Sequence, residues 1–156
     1  MRTDGSWVPL WFGNQWNNGE ENPLYGTARV VAALAQIPHS VELERGVAWL
    51  VKAQQQDGGW SGGSSGKPSI EETALAIEAL AESLNAIVNA DLRAAAINST
   101  RRGTEWLLAR VESGEWRQPS PIGFYFAKLW YYERLYPMIF TVGALNRVRG
   151  VHSGVV

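Results

Sequence analysis

The stretch that decides the fold reads Arg45-Gly46-Val47-Ala48-Trp49-Leu50, followed after three residues by Gln54-Gln55-Gln56-Asp57-Gly58-Gly59-Trp60. A degenerate copy runs from Arg102-Gly103-Thr104-Glu105-Trp106-Leu107 to Gly114-Glu115-Trp116. The end of a further copy, Thr3-Asp4-Gly5-Ser6-Trp7, stands at the start of the sequence. Repetition of one phrase at intervals that fit a helix pair predicts an array of helical hairpins, each covering the apolar face of the next.

The bulk composition is that of an ordinary globular protein. The 156 residues are 46% hydrophobic and 19% charged, enough to bury one core. The net charge is -1 and there is no basic stripe, which excludes the electrostatic footprint of a nucleic-acid-binding protein. The chain has no cysteine, so a disulfide framework and a thiolate metal site are both excluded.

Membrane insertion is not expected from this sequence. No stretch approaches the roughly 18 apolar residues of a membrane span, and the N-terminus lacks the apolar region of a signal peptide. We therefore expect a cytoplasmic protein, and association with a membrane surface stays open.

The first half of the chain contains the patterns of two helices. Val30, Leu34 and Ile37 are spaced i, i+4, i+7, as on one helix face, and we place that helix at residues 25–37. The second helix begins after Ser40, a residue type favoured at N-caps, and runs to about residue 55.

A third helix begins with a capping pattern. Ser69-Ile70-Glu71-Glu72 predicts that Ser69 and Glu72 satisfy backbone donors at the start of a helix that runs to about Leu84. We accordingly interpret Glu71 and Glu72 as capping residues and not as an acid pair, because adjacent residues point to different sides of a helix.

The rest of the chain predicts three more helical segments. A fourth helix covers residues 91–98 and 103–111 and is expected to break near Asn98. Residues 124–136 predict an aromatic helix that Pro137 ends or kinks. The last helix covers residues 138–149, and the tail from 150 to 156 is expected to fray. Alternating apolar and amphipathic helices with glycine turns predict an all-α fold, a curved two-layered α/α toroid.

The repeat resembles the QW motif, Arg-Gly-x-x-Trp-Leu-x-x-x-Gln-x-x-Asp-Gly-Gly-Trp, of squalene–hopene cyclases and related class II triterpene cyclases. In that family the motif is a structural brace. The Gln amide is expected to bond the open N-terminus of a neighbouring helix, with the Trp packed beside it. The second copy matches at every motif position, namely Arg45, Gly46, Trp49, Leu50, Gln54, Gly58 and Trp60.

The remaining matches follow in family order and cover nearly the whole chain. Tyr25-Gly26-Thr27 resembles the start of the family's C-terminal portion, Thr73-Ala74 the next inner helix, and Gly143-Ala144-Leu145 the C-terminal end. The resemblance implies that residues 1–149 are the C-terminal part of an incomplete α6/α6 barrel. It also implies a parent enzyme, an isomerase or lyase, that cyclises squalene or a similar polyprenoid on one membrane face without metal or organic cofactor.

Aromatic faces stabilise a carbocation through their negative quadrupole, and the resemblance implies which side chains line such a cavity. Tyr125, Leu129 and Tyr132 have the spacing of one helix face and would line one wall. Packing in an ordinary core is the alternative for these aromatics. The implied cavity residues are Trp11, Tyr25, Tyr125, Phe126 and Tyr132.

Three departures from the family pattern stand out. Val111 occupies the Gln position of the last copy, whose turn is also one residue shorter, so that brace is expected to be weakened or lost. The segment at residues 14–22 is longer than in the best-known cyclases, and the polar character of residues 14–21 predicts a surface loop. Leu129 stands where the family has an aromatic residue.

The catalytic acid of the family is absent from this sequence. Class II cyclases protonate their substrate with the middle Asp of a D-x-D-D motif, upstream of the region matched here. The chain has only Asp4, Asp57 and Asp91, and none is adjacent to another. Because the first repeat copy begins inside its motif at Met1, we expect a C-terminal piece without catalytic residues of its own, inactive alone. Its uncovered edge predicts an exposed apolar patch, and hence dimerisation or aggregation.

A non-catalytic alternative stays open, an α/α toroid module that binds an apolar ligand or a partner protein. Two related toroids are excluded by the absence of cysteine. Protein prenyltransferase β subunits need a Cys among their zinc ligands, and thioester-containing domains need one for the thioester.

Overall fold

The computed structural model describes residues 1–37, 39–63, 66–119, 122–124 and 129–152. These residues form a predominantly helical structure, which confirms the predicted all-α class. Their α-helices are α1 (Pro23–Leu34), α2 (Val41–Ala53), α3 (Ile70–Ser83), α4 (Ala90–Ser113) and α5 (Tyr136–His152). Their strands are β1 (Phe12–Gly13), β2 (Ile122–Phe124) and β3 (Leu129–Tyr131), antiparallel in the order β1-β2-β3.

Helix α3 forms the centre of the molecule. It packs against α1 on one side and α5 on the other, while α2 lies against α1 and α4 against α3. All but two of its 14 residues are buried, which explains its alanine-rich, apolar composition. The helices therefore form one layer of α1, α3 and α5 and a second layer of α2 and α4. In the described part of the chain, no helix has the length and hydropathy needed to cross a membrane.

The predicted caps of α2 and α3 are confirmed. The Ser40 hydroxyl accepts the Leu43 N–H at 3.0 Å, and the Ser69 hydroxyl accepts the Glu72 N–H at 3.1 Å. Ser69 does not complete a capping box, because its own N–H is bound to the carbonyl of Trp60 at 3.0 Å. The capping role predicted for the Glu72 carboxyl is therefore wrong, and its Oε2 accepts the Ser69 hydroxyl at 2.9 Å instead.

Helix α1 buries residues beside the apolar spacing noted in the sequence. Leu24, Ala28 and Val31 are buried, whereas Ile37 lies beyond the helix and is exposed. The helix also contacts the first repeat turn, where Thr27 Oγ1 accepts the Trp7 N–H at 3.0 Å.

The predicted break in α4 is also wrong, since the helix runs unbroken from Ala90 to Ser113. Ser99 and Thr100 are buried inside it, and the Thr100 hydroxyl donates to the Ala96 carbonyl at 2.8 Å. A hydroxyl that bonds the preceding turn lets a polar residue stay within a helix.

The predicted aromatic helix at residues 124–136 is wrong as well. Strands β2 and β3 pair there, with Gly123 opposite Trp130, and β1 adds the edge pair Phe12 opposite Phe124. Leu129 and Tyr132 therefore share no helix face, and Tyr125 lies outside the described residues. Pro137 neither ends nor kinks a helix but sits in the first turn of α5, where its missing N–H breaks no helical bond. Helix α5 also continues to His152, into the segment predicted to fray.

Candidate functional site

The turn of the second repeat copy is held by the helix of the next copy. Asp57 Oδ2 accepts the Trp106 indole N–H at 2.9 Å, and Asp57 Oδ1 accepts the Gly59 N–H at 3.1 Å. The Arg102 guanidinium adds bonds to the carbonyls of Gln55 and Gln56 at 3.1 and 2.9 Å. The Arg-Gly-x-x-Trp half of one copy thus recognises the Asp-Gly-x-Trp half of the preceding copy.

The same joint forms between the first and second copies. Asp4 Oδ2 accepts the Trp49 indole N–H at 3.2 Å, and Arg45 Nη2 donates to the Thr3 carbonyl at 2.7 Å. The Ser6 N–H bonds the other oxygen of Asp4 at 3.0 Å. This backbone bond is the main reason that the pKa of Asp4 is lowered, and the Trp49 indole adds to it.

Glycine is required in each joint because the turn tryptophan packs on it. A Cβ at Gly103 would lie 2.5 Å from Cζ3 of the Trp60 ring, and one at Gly46 would lie 2.9 Å from Cζ3 of Trp7. Trp60 is fully buried, and its indole N–H donates to the Leu50 carbonyl at 2.8 Å.

Gln54 contacts a neighbouring helix, but not at the predicted place. Its amide donates to the carbonyls of Gly58 and Ser99 at 2.8 and 2.9 Å, and its oxygen accepts from Arg102 at 3.3 Å. Ser99 lies in the interior of α4, so the predicted bond to a helix N-terminus is wrong. The Ser99 carbonyl can accept this bond within a helix because its oxygen has two lone pairs.

The last repeat copy ends differently, as its sequence indicated. Val111 stands where a Gln amide would be, and the chain turns at Gly114 in the left-handed conformation. The Gly114 N–H bonds the carbonyls of Arg110 and Val111. The Arg110 guanidinium lies over the Trp106 ring, 4.0 Å from its centre.

The described cavity candidates differ in how far they are exposed. Tyr25 is half-buried in the first turns of α1 and stacks on Phe12, with ring centres 4.6 Å apart. Trp11 precedes Phe12 directly and is 49% exposed, whereas Tyr132 is 56% exposed just after β3. Tyr125 and Phe126 lie outside the described residues.

A groove of about 560 Å³ lies at the other end of the molecule, where α3 and α5 finish. Leu84, Ile97 and Val148 contribute to its apolar lining. None of the described cavity candidates lines it. The stacked rings of Phe12 and Tyr25 therefore lie at the start of α1, away from this groove.

Two buried carboxyl groups were not anticipated from the sequence. Glu71 and Glu72, in the first turn of α3, are 0% and 2% exposed. Glu72 Oε1 accepts from the side-chain amides of Asn14 at 2.6 Å and Asn22 at 3.2 Å. Its Oε2 accepts the Ser69 hydroxyl at 2.9 Å.

Burial raises the pKa of Glu72 to about 7, because desolvation penalises the charged form. Hydrogen bonds from Asn14 and Ser69 oppose the rise, and the charge of neighbouring Glu71 adds to it. Glu72 is therefore a weak acid compared with an ordinary glutamic acid.

The segment that supplies the asparagines was expected to be a surface loop, and this is wrong for its polar side chains. Asn14, Asn17 and Asn22 are buried. A signal was available, since a helix that is apolar on all sides has no wet face for the glutamates in its first turn. Such glutamates need buried donors, and the nearby run of asparagines is a source of them.

Comparisons with known proteins find similar sequences along nearly the whole chain. Residues 2–150 match the family model described as the squalene-hopene cyclase C-terminal domain. An uncharacterised protein of Bradyrhizobium diazoefficiens is 39% identical over 101 residues, 65% of this chain and 18% of that protein. The squalene–hopene cyclase of Zymomonas mobilis is 29% identical over 160 residues, 95% of this chain and 22% of the cyclase.

A third relative has a different product in its name. The (+)-kolavenyl diphosphate synthase of Herpetosiphon aurantiacus is 34% identical over 107 residues, 69% of this chain and 18% of the synthase. The chain thus spans about a fifth of the length of the curated relatives it matches. Since the family model covers nearly all of it, the chain belongs to the squalene–hopene cyclase C-terminal domain family.

Proposed function

We propose that this chain forms one wall of a cavity in which a linear polyprenoid is cyclised through carbocations. The observation that carries the proposal is the Phe12–Tyr25 stack beside Trp11, at the N-terminal ends of α1 and α3. Family membership indicates the reaction class, and the aromatic side chains provide faces that can stabilise a cation.

Stacked aromatic rings suit this chemistry because they attract a cation without donating a bond that would end the reaction. Each face contributes about 0.5–2 kcal/mol to a nearby cation. One cation–π contact exists at this surface, where the Arg29 guanidinium lies 5.5 Å from the Tyr25 ring centre, and it supports the proposal.

The proton that starts the reaction does not come from this chain. Asp4 and Asp57 are engaged by the indoles of Trp49 and Trp106, and the sequence contains no D-x-D-D motif. Glu72 does not replace it, because protonating an alkene needs a strong acid and the pKa of Glu72 is raised to about 7. The acid belongs to a part of a longer cyclase outside the matched region, and the chain alone is inactive.

The repeat joints serve as the proposed braces of this wall. Arg45, Gly46 and Trp49 hold the turn before α1. The Leu50 carbonyl accepts the Trp60 indole N–H, and Gln54, Gly58 and Trp60 join α2 to α4. Such braces fix the helix ends, and a continuation of the two layers would close a toroid.

The substrate class is a linear polyprenoid such as squalene. Two relatives are named for squalene–hopene cyclisation and for kolavenyl diphosphate synthesis, and a fern relative is named dammaradiene synthase. The apolar, aromatic surface fits the hydrocarbon part that such compounds share.

An exposed apolar stripe on α5 supports a contact with other structure. Leu135, Met138, Ile139 and Val142 follow i, i+3, i+4, i+7 spacing and are all exposed. In a longer cyclase the rest of the helical array covers this stripe. The chain alone self-associates through it.

The test is to supply the missing part. Residues 2–150 replace the matched segment of the Zymomonas mobilis cyclase, and the chimera is incubated with squalene beside the chain alone. We expect cyclic products from the chimera and none from the chain. Turnover by the chain alone contradicts the proposal that the acid lies elsewhere, and a folded chimera that binds squalene without cyclising it contradicts the wall.

A further inference from the structure

We propose that Glu72 is a positioning residue, whose carboxylate fixes the Phe12–Tyr25 stack by holding Asn14 and Asn22. This inference rests on the proposed function, because it concerns the aromatic wall that this function assigns. It adds a role for a buried side chain that the repeat motif does not include.

One carboxylate oxygen joins the two segments that carry the rings. Asn14 follows β1 directly, and β1 contains Phe12. Asn22 is the N-cap of α1, and its Oδ1 accepts the Tyr25 N–H at 3.0 Å. Both asparagine amides donate to Glu72 Oε1, so this atom sets the distance between the two backbones.

The carboxylate is itself anchored to the most buried helix of the molecule. Its Oε2 accepts the Ser69 hydroxyl, and the same Ser69 oxygen caps α3 by accepting the Glu72 N–H. The ring pair is thereby held in place relative to α3.

The glycine-rich turn after the repeat completes the enclosure. A Cβ at Gly62 would lie 2.6 Å from Glu72 Oε1 and 2.8 Å from Asn14 Nδ2, so the turn packs directly on the polar group. The Leu24 N–H donates to the Gly62 carbonyl at 3.2 Å, which ties this cover to α1. Water is excluded, and the hydrogen bonds to Glu72 have no solvent competitor.

Loss of a positioning residue changes the local geometry of the loop, whereas loss of a generally stabilising residue lowers the stability of the whole fold. Removal of the carboxyl leaves two buried amide donors unsatisfied, so the loop separates locally from α3. Glutamine keeps one oxygen for both asparagines and preserves the geometry. Glu78, on the same helix near Gly143, provides a control outside the cluster.

The experiment compares the wild-type chain with Glu72→Ala, Glu72→Gln, Asn14→Ala and Glu78→Ala. NMR on protein labelled at Phe and Tyr follows the Phe12–Tyr25 ring contact, and hydrogen exchange follows residues 12–22. Circular dichroism checks that the helices persist.

We expect Glu72→Ala to lose the ring contact and to speed exchange in the loop by roughly tenfold or more. Glu72→Gln and Glu78→Ala keep both properties. Folded Glu72→Ala with the ring contact intact overturns the inference. If Glu72→Ala does not fold, Asn14→Ala decides, since loss of the contact supports the inference and retention overturns it.

These readouts use no substrate, so they separate the inference from the proposed function. If the ring contact is lost but the chimera carrying Glu72→Ala forms unchanged products, the wall proposal fails and the positioning role stands. If the contact survives, the positioning role fails whatever the chimera does.

Discussion

Asp57 accepts a hydrogen bond from the indole of Trp106 at 2.9 Å, although 49 residues separate them in the chain. Asp4 and Trp49 make the equivalent bond at 3.2 Å one copy earlier. Each of these two repeat turns is therefore held by the helix of the following copy. A repeat that looks self-contained in sequence is, in the structure, a joint between neighbours.

Trp106→Phe tests this joint by removing the indole N–H while keeping an aromatic ring. We expect a loss of about 1–3 kcal/mol in the free energy of unfolding, because Asp57 loses its partner and part of the buried ring contact disappears. Trp49→Phe is the matched control, with a smaller expected loss because its bond to Asp4 is longer and exposed. Urea unfolding measures both, and an unchanged free energy of unfolding for Trp106→Phe would contradict the assignment.

Two helical glycines should respond in opposite directions to alanine. Gly103→Ala places a methyl group 2.5 Å from the Trp60 ring and should cost about 1–3 kcal/mol. Gly143→Ala meets nothing closer than Glu78 Oε1 at 3.4 Å and should stabilise α5 by about 0.5–1 kcal/mol. Thermal unfolding of the two variants gives the comparison, and a stable Gly103→Ala would show that the turn tryptophan can move aside.

Glu72 should make stability depend on pH near neutrality. Its folded pKa of about 7 lies above the ordinary 4.5, so the folded state keeps a proton that the unfolded state releases. The contribution of Glu72 to the free energy of unfolding is fully present below pH 4.5. It declines by about 3 kcal/mol as the pH rises to 7, since each unit of pKa difference corresponds to 1.36 kcal/mol.

Glu72→Gln should remove this decline, since an amide does not titrate. Denaturant unfolding between about pH 5 and 8 compares it with the wild type. The lowered pKa of Asp4 acts at more acidic pH and leaves this window undisturbed. Parallel stability curves for the two proteins would show that Glu72 is charged throughout.

The sequence was a good guide where structure is set by neighbours along the chain. Ser40 and Ser69 cap their helices because an N-cap depends on the next three residues. The repeat likewise indicated helical pairs, since its glycines and tryptophans recur at matching places. Even there the partner of Gln54 was missed, because the Ser99 carbonyl belongs to a helix 45 residues away.

The sequence failed where distant segments decide. Strands β2 and β3, with Gly123 opposite Trp130, form a sheet with the distant strand β1, which contains Phe12. Local spacing does not reveal this partner, so an aromatic helix was predicted instead. The burial of Glu72 depends in the same way on Asn14 and Asn22. The ring of Tyr25 stacks on Phe12, a contact that the family resemblance did not identify.

The most direct test of the central claim is the product distribution of the squalene-cyclising chimera when the aromatic surface is changed. Tyr25→Ala and Trp11→Ala remove faces from the proposed wall, whereas Trp16→Ala removes an exposed tryptophan outside it. We predict that the first two shift products toward partly cyclised compounds, with roughly tenfold lower turnover for one lost cation contact, and that Trp16→Ala changes neither. Unchanged products and rates for Tyr25→Ala and Trp11→Ala would contradict the account.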